Sequence, residues 1–368
     1  MNSVWELANP HLRDLAVYEP GKPIEETARE LGSDAGSIIK LASNENPLGA
    51  SPAALAAMRA ALDQAHLYPD GGGYYLREAL AAKLGVERAN IILGSGSNEI
   101  IEFLGHAFLL AGDDVVTSEH AFIAYKLVAA GFGARTIEVP SPDLRHHLDA
   151  MSAAITPRTR LVFIANPNNP TGTLLEQTQI DSFMRALPER ITVVFDEAYF
   201  EYVDGPPDVL KYVHAGRHVI VLRTFSKMHG LANLRIGYGI APPDLIQVLQ
   251  KTRQPFNVSG IAQAAALAAL GDKSHQEKTK RITDQGRTFL QHGFSEMDLP
   301  FVPSAGNFVL VRVGDSAAVF RALLARKIIV RALKGYHLPE WVRISVGTME
   351  QNRKCLAAVR EVIDRAAT

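Results

Sequence analysis

The stretch Val219-Ile220-Val221-Leu222-Arg223-Thr224-Phe225-Ser226-Lys227 holds the pattern on which the fold depends. Its first four residues are continuously apolar, as in a strand that is covered on both faces of a sheet, and hydroxyls and a lysine follow at once. Apolar runs at Leu161–Ala165 and Thr192–Phe195 are also followed by polar clusters. Helical patterns separate these runs. The sequence therefore predicts a mostly parallel α/β sheet with helices on both faces, whose ligand lies beyond the carboxyl ends of the strands.

Three regions of different texture divide the 368 residues. Residues 1–50 are rich in proline and are predicted to form an N-terminal arm, part of which packs with the small domain. Residues 51–255 alternate strands with helices and are predicted to form a large α/β domain that binds the ligand. Residues 256–368 are predicted to form a smaller α+β domain, which begins with one long helical stretch from Ile261 to about Gln291.

The composition excludes several classes of protein. Lys and Arg number 38 and Asp and Glu number 39, so the chain has no overall attraction to nucleic acid or to an anionic membrane. No apolar run approaches the ~18 to 20 residues of a membrane span, and residues 1–10 lack the basic start of a secretory signal. The single cysteine, Cys355, excludes an intrachain disulfide framework. We expect a cytoplasmic protein that binds neither nucleic acid nor membranes.

Residues able to hold a small charged ligand follow three of the apolar runs. Gly94–Glu99 opens a helix with glycines and hydroxyls, as either a phosphate site or an ordinary N-terminal cap. Asn166–Gly172 is a turn rich in proline and asparagine, which fixes its side-chain amides at the edge of the sheet. It is either an ordinary turn before a helix or a means of aiming an amide donor at a ligand oxygen. Asp196 follows a buried strand and Tyr199 comes three residues later. A carboxylate there is either exposed or needs a partner, because burial without one is costly.

Cations and hydroxyls collect after Leu222. Thr224, Ser226, Lys227 and Arg235 could form an anion site. The apolar neighbours of Lys227 would desolvate its amine, which lowers the pKa and favours attack on carbonyls, although a surface lysine is the ordinary alternative. Together these motifs describe one ligand, an aromatic aldehyde phosphate with a basic ring nitrogen.

The combination of motifs resembles the fold-type I pyridoxal-phosphate enzymes of aminotransferase class I/II. Asn169-Pro-Thr-Gly, Asp196-x-x-Tyr199, Ser226-Lys227 and Arg235 occur in the order and approximate spacing of that family, over nearly the whole chain. Within the family the sequence most resembles the histidinol-phosphate aminotransferases, through the segments Leu41–Pro47, Tyr68–Asp70, Val330–Pro339 and Val342–Gly347. It departs from the usual pattern at His120, where that family usually has proline, and at Asn233, where a glycine is usual.

The resemblance implies a role for each matching residue around pyridoxal 5′-phosphate. Lys227 would bond covalently to the cofactor and move protons as general base and acid, and Asp196 would pair with the ring nitrogen. Tyr199 and Asn169 would bond to the ring oxygen. The remaining cofactor residues are Phe122 against the ring face and, around the phosphate, Ser97, Asn98, Thr224, Ser226, Arg235 and, from the other subunit of a homodimer, Tyr68.

The resemblance also implies a substrate side. Arg343 would bind the substrate carboxylate in a bidentate pair, and Asn44 would lie close to it. Tyr18 and Arg331 would bind the phosphate of histidinol phosphate. No metal is expected, because His146 and the neighbouring histidine are interpreted as solvated rather than as metal ligands.

The expected reaction is transamination between L-histidinol phosphate and 2-oxoglutarate, which gives imidazole acetol phosphate and glutamate in histidine biosynthesis. An aromatic or broad-specificity amino-acid aminotransferase remains open, and a threonine-phosphate decarboxylase is a weaker alternative. A non-catalytic pyridoxal-phosphate domain of a regulator is disfavoured, because no winged-helix segment or basic patch accompanies the motifs.

Overall fold

The structure, a computed structural model, describes residues 4–13, 15 and 21–367. Its strands are β1 (Ile39–Lys40), β2 (Ile91–Gly94), β3 (Asp114–Ser118), β4 (Arg135–Val139), β5 (Thr159–Ala165), β6 (Thr192–Asp196), β7 (Val219–Thr224), β8 (Gly237–Ile240), β9 (Phe301–Val302), β10 (Phe308–Arg312), β11 (Ile328–Ile329), β12 (Arg331–Leu333) and β13 (Leu338–Ser345). Its α-helices are α1 (Val4–Leu7), α2 (Ile24–Leu31), α3 (Pro52–Ala61), α4 (Tyr74–Leu84), α5 (Ser97–Phe108), α6 (Ala124–Gly131), α7 (Leu148–Ala153), α8 (Gln177–Ala186), α9 (Leu210–His214), α10 (Pro243–Gln250), α11 (Gly260–Gly271), α12 (Lys273–Ser295), α13 (Ser316–Ala325) and α14 (Met349–Ala367). None of these helices is long and apolar enough to cross a membrane.

A seven-stranded sheet forms the centre of the larger part of the chain. Its strand order is β2-β8-β7-β6-β5-β3-β4, and all pairings are parallel except the two that β8 makes. Strand β7 shows why the sheet is covered on both sides. Val219 and Val221 pack into one apolar cluster while Ile220 and Leu222 pack into another, because successive side chains point to opposite faces. The predicted mostly parallel, doubly covered sheet is confirmed.

A smaller antiparallel sheet, of order β12-β13-β10-β9, packs against helices α12, α13 and α14. The segment that precedes the large sheet in sequence joins this part of the structure, since β1 pairs with β11 in a two-stranded parallel sheet. Leu41 then enters the apolar core beneath the small sheet. The chain from residue 41 onward runs from the small sheet toward the large one.

The predicted long helix from Ile261 to Gln291 is two helices. The backbone turns at Asp272, which has φ −83° and ψ 74°, and the Asp272 side chain accepts a hydrogen bond from the N–H of His275 to cap α12. Helix α11 packs on α3 within the core of the large sheet. The division into residues 1–50, 51–255 and 256–368 stays a prediction, and the packing of α11 favours a later boundary, near the start of α12.

We expect the backbone of β8 to tolerate no side chain at Gly237. A Cβ there would lie closer than 3.0 Å to the Ser97 nitrogen, the Gly96 carbonyl carbon and the Arg223 carbonyl oxygen, all of which are backbone atoms. Gly237→Ala should therefore lower the free energy of unfolding by about 1–3 kcal/mol, the usual cost of overpacking, and displace the start of α5. Thermal unfolding measures the change.

Gly271→Ala is the matched control for Gly237→Ala, because a Cβ at the end of α11 meets no atom within 4 Å. Its melting temperature should equal or exceed that of the wild type. Equal melting temperatures for the two variants would contradict the packing at Gly237.

Candidate active site

The carboxyl ends of the central strands meet at one cleft. Asp196, the last residue of β6, pairs in register with Ala165 of β5 and with Leu222 of β7, so the three strands end side by side. Beyond them opens a cleft of about 280 Å³. Ten residues predicted from the motifs line it: Ser97, Asn98, Phe122, Asn169, Asp196, Tyr199, Thr224, Ser226, Lys227 and Arg235.

Asp196 is a buried carboxylate at the floor of this cleft. Its Oδ2 accepts a hydrogen bond of 2.7 Å from the Tyr125 hydroxyl, and its Oδ1 accepts one of 3.2 Å from the Ala198 N–H. Burial raises the pKa of Asp196, whereas those two hydrogen bonds and the positive charge of Lys227 lower it. A cationic ring nitrogen beside the carboxylate would offset the cost of burial.

The sequence analysis did not assign Tyr125. This tyrosine is fully buried, stacks on Phe163 with ring centroids 4.5 Å apart, and meets the edge of Phe122 at 5.7 Å. Its three-residue spacing from Phe122 is the signal that could have indicated it, because residues three apart share one side of a helical turn.

Lys227 extends its amine toward the arm segment that precedes the large sheet. Its Nζ donates a 3.1 Å hydrogen bond to the carbonyl oxygen of Ser43. Burial is the main cause that lowers the pKa of Lys227, to about 8, and the positive charges of Arg343 and Arg235 add to the effect. A substantial neutral fraction near neutral pH makes this amine a nucleophile toward an aldehyde.

Tyr199 and Asn169 follow the carboxyl ends of the adjacent strands β6 and β5, and hydrogen bonds fix their side chains. The Tyr199 hydroxyl accepts a 2.9 Å hydrogen bond from Asn44 Nδ2, and burial raises the pKa of Tyr199 to about 12. The hydroxyl therefore stays protonated and can donate to a ligand oxygen. Asn169 Oδ1 accepts a hydrogen bond from an Arg343 Nη1 nitrogen, which orients the amide nitrogen of Asn169 as a donor.

An anion cradle forms where helix α5 begins. The helix starts at Ser97 directly after Gly96, whose φ is 76° and at which a Cβ would lie 2.5 Å from Arg235 Nη2. Only glycine admits the guanidinium so close to the helix N-terminus. On the facing strand end, the Thr224 hydroxyl accepts a 3.1 Å hydrogen bond from the Ser226 N–H. Free N–H groups of a helix start beside an arginine suit a phosphate.

The predicted substrate residues come from the small sheet and the arm. Arg343 of β13 is buried, donates a 2.6 Å hydrogen bond to the Ala42 carbonyl, and pairs in register with Arg331 of β12. Asn44 is buried, and its Oδ1 accepts a 2.9 Å hydrogen bond from Ser345. Tyr18, the other residue predicted on this side, lies outside the described residues.

Tyr68 does not line the cleft of its own chain. It is 83% exposed and stacks on Phe256 with ring centroids 4.8 Å apart. Its predicted contact with the cofactor of another subunit stays a prediction.

The interpretation of both loop histidines as solvated is wrong for His146. This residue is buried with its Nε2 2.8 Å from the Ala165 carbonyl oxygen, and burial lowers its pKa to about 4, so the ring is neutral. His147 is exposed and accepts a 3.1 Å hydrogen bond from the Ala150 N–H at the start of α7. The described residues contain no group of three or more His, Cys, Asp or Glu that could hold a metal ion.

The sequence pattern of the family described as aminotransferase class I and II matches residues 36–359. The chain belongs to this family. It is 51% identical over 362 residues to a histidinol-phosphate aminotransferase of Akkermansia muciniphila, a match that covers 98% of this chain and all of the relative. It is 48% identical over 350 residues to one of Moorella thermoacetica, covering 94% of this chain and 90% of the relative.

A solved structure agrees with the family and the fold. The crystal structure of histidinol-phosphate aminotransferase from Sinorhizobium meliloti in complex with pyridoxal-5′-phosphate has a TM-score of 0.90 to this chain, at 32% identity and with 98% of each chain covered. The predicted fold-type I architecture and the predicted aminotransferase class are therefore confirmed.

The donor set of this aminotransferase fits pyridoxal phosphate, and the predicted dependence on that cofactor is confirmed by the family. Lys227 offers an amine of lowered pKa for the aldehyde, Asp196 a buried carboxylate for the ring nitrogen, and the start of α5 a cradle for the phosphate. When bound, pyridoxal phosphate supplies an aldehyde that condenses with amines and a ring that stores the electron pair of a deprotonated substrate carbon.

We expect Lys227 of the cofactor-free enzyme to react with pyridoxal phosphate in a pH-dependent manner. Only the neutral amine attacks, so the rate should rise with pH through the Lys227 pKa of about 8, not through the ordinary lysine pKa of about 10.4. Borohydride trapping at a series of pH values, followed by peptide mapping, measures the rate and the site.

The control variant Lys227→Arg should give no trapped adduct, since arginine keeps the charge but has no reactive amine. A trapped adduct on another lysine, or a midpoint above pH 10, would contradict the assignment.

Proposed function

We propose that this aminotransferase transfers the amino group of L-histidinol phosphate to 2-oxoglutarate, giving imidazole acetol phosphate and glutamate. The identity to relatives of that name over nearly the full length of both chains carries the proposal. We further propose that the reaction belongs to histidine biosynthesis and takes place in the cytoplasm.

The side chains of the cleft divide the chemistry between them. Asp196 holds the proton on the ring nitrogen, because a buried carboxylate favours a cationic neighbour. Lys227 Nζ takes the proton from the carbon that bears the donor amino group, and its pKa of about 8 suits both removal and return of a proton near neutral pH. Tyr199 and Asn169 donate hydrogen bonds to the ring oxygen.

Two arginines of the small sheet suit a reaction in which the donor and the acceptor carry different anionic groups. Histidinol phosphate has a phosphate and no carboxylate, while 2-oxoglutarate has two carboxylates and no phosphate. Arg331 and Arg343 are register partners on adjacent antiparallel strands, so their side chains lie on the same face of the small sheet. A guanidinium forms bidentate pairs with either anion, whereas a lysine is only a point charge.

We also propose that the enzyme is a homodimer whose sites are shared through Tyr68. Around Tyr68 the surface exposes apolar side chains that a soluble monomer would rarely leave together. They are Leu62, Leu67, Tyr68, Tyr74, Tyr75, Phe256 and Leu267. Three of the seven lie on α4 and α11, and the other four lie in the segments that precede these helices. Such a set of apolar side chains suits burial against a second copy of the chain.

Loss of the Tyr68 hydroxyl should weaken cofactor binding. One hydrogen bond to a charged phosphate contributes about 1.5–3 kcal/mol, so Tyr68→Phe should raise the dissociation constant for pyridoxal phosphate about tenfold or more. Tyr75→Phe, on another largely exposed tyrosine of the same surface, should leave the dissociation constant unchanged.

Mixed dimers separate a shared site from a local effect. A Tyr68→Phe chain paired with a Lys227→Ala chain should keep one site with both groups intact, and about half of the wild-type activity. A Tyr68→Phe enzyme that remained dimeric and bound the cofactor like the wild type would refute the shared site.

The donor preference tests the proposed reaction against its alternatives. We expect kcat/KM with 2-oxoglutarate to be higher for histidinol phosphate than for phenylalanine or tyrosine by at least tenfold. Arg331→Ala should reduce this ratio by about tenfold or more, because only histidinol phosphate carries a phosphate for the guanidinium to bind. Steady-state assays of the purified wild type and variant measure both ratios.

Preference for an aromatic amino acid in the wild type would favour the broad-specificity aminotransferase. Release of carbon dioxide from threonine phosphate would favour the decarboxylase. An unchanged ratio in Arg331→Ala would show that Arg331 does not bind the phosphate.

A further inference from the structure

The arm segment Ser43–Asn46 lies over the cleft with its backbone fixed on both sides. The Ser43 carbonyl accepts the hydrogen bond from Lys227. The Asn44 carbonyl accepts a 3.0 Å hydrogen bond from Asn307, and the Asn46 side chain donates one of 2.8 Å to the Met228 carbonyl. The segment is therefore held by the small sheet and by the loop that carries Lys227.

Ser43 and Glu45 are the residues of this segment that line the cleft, and only Glu45 of the two carries a charge. Asn44 and Asn46 are buried on either side of it, while the Glu45 side chain is 45% exposed and lines the cleft with Lys227. Lys40 of β1 donates to Glu45 Oε1 at 2.8 Å, so Oε2 is the carboxylate oxygen left for a ligand.

Glu45 is not among the groups that fit the parts of the cofactor. Among the acidic side chains that line the cleft, Asp196 at the floor serves the ring nitrogen, and Glu45 comes from the arm. Arg235 and the start of α5 serve the phosphate. The negative charge of Glu45 acts to raise the pKa of Lys227, and both residues line the cleft that an amino donor would enter. A carboxylate in that place favours a substrate group that donates a hydrogen bond or carries positive charge.

We propose that Glu45 is a specificity residue, whose Oε2 accepts a hydrogen bond from a ring N–H of an imidazole-bearing amino donor. This inference rests on the proposed function and deepens it, since it names the group that recognises the part of histidinol phosphate opposite its phosphate. Imidazole has an ordinary pKa of about 6.5, so it offers an N–H in both of its protonation states and a positive charge in one.

The same carboxylate discriminates between the two half-reactions. The arginines of the small sheet bind the phosphate of the donor, which leaves the imidazole for Glu45. The acceptor 2-oxoglutarate has a second carboxylate in place of the ring, and a like charge near Glu45 disfavours its approach. Glu45 therefore favours the imidazole donor over a dicarboxylate in the position that both would occupy.

Glu45→Met in the full-length holoenzyme tests the assignment. Methionine keeps the length of the side chain and removes its oxygens. Because the Glu45 side chain is 45% exposed, the substitution should leave the packing of the core unchanged. Single-turnover amino transfer to the bound cofactor is measured for histidinol phosphate, histidine and phenylalanine. We expect the rate ratio of histidinol phosphate to phenylalanine, and that of histidine to phenylalanine, to fall at least tenfold.

Two further variants complete the test. Glu45→Gln keeps one oxygen that can accept a hydrogen bond but has no charge, so it should give a smaller fall than Glu45→Met. Glu340→Met removes another exposed glutamate, which lies on β13 and pairs with Arg312 at 2.8 Å. This variant should leave both ratios unchanged.

The outcomes separate this inference from the proposed function. Rates that fall equally for all three donors in Glu45→Met would mean that Glu45 attracts every amino group. Rates that stay at the wild-type values would mean that it recognises none. Either result overturns the inference. A wild type that does not react with histidinol phosphate overturns the proposed function, and the ratio of histidine to phenylalanine then decides for or against Glu45.

Discussion

The burial of the Asp196 carboxylate at the end of β6 is the constraint on which the rest of the site depends. A carboxylate removed from water is costly unless hydrogen bonds and a positive partner replace its hydration. The fold supplies the Tyr125 hydroxyl and the Ala198 N–H, and places Lys227 on the adjacent strand end. A cationic cofactor ring would complete the set, so the floor of the cleft suits a group that carries positive charge.

A second set of contacts joins the arm to both sheets above that floor. Asn44 hydrogen-bonds to Tyr199 at the end of the large sheet and to Ser345 at the end of β13. Arg343 reaches from the same strand to Asn169. Movement of the small sheet would therefore shift the hydroxyl and the amide that we propose bond to the ring oxygen. The substrate side and the cofactor side share hydrogen bonds, which links the recognition of the substrate to the geometry of catalysis.

Much of the cofactor site could be predicted because its signals are local. A buried parallel strand is a short apolar run, and the residues that follow it must lie at the carboxyl edge of the sheet. Asn169, Asp196, Tyr199 and Lys227 each occupy such a position, and the structure brings all four to one cleft. Helix boundaries were harder to predict, since the turn at Asp272 separates two helical patterns that look continuous in sequence.

The sequence by itself determined the mostly parallel sheet and the chemical character of the residues at its strand ends, because periodicity and adjacency are properties of the chain. Only the tertiary structure decided that Tyr125 bonds to Asp196, that His146 is buried and neutral, and that Glu45 and Lys227 line one cleft. Tyr125 and Asp196 are 71 positions apart in the sequence, His146 and its partner Ala165 are 19 apart, and Glu45 and Lys227 are 182 apart. Packing fixes such distances, and no local pattern of residue types encodes them.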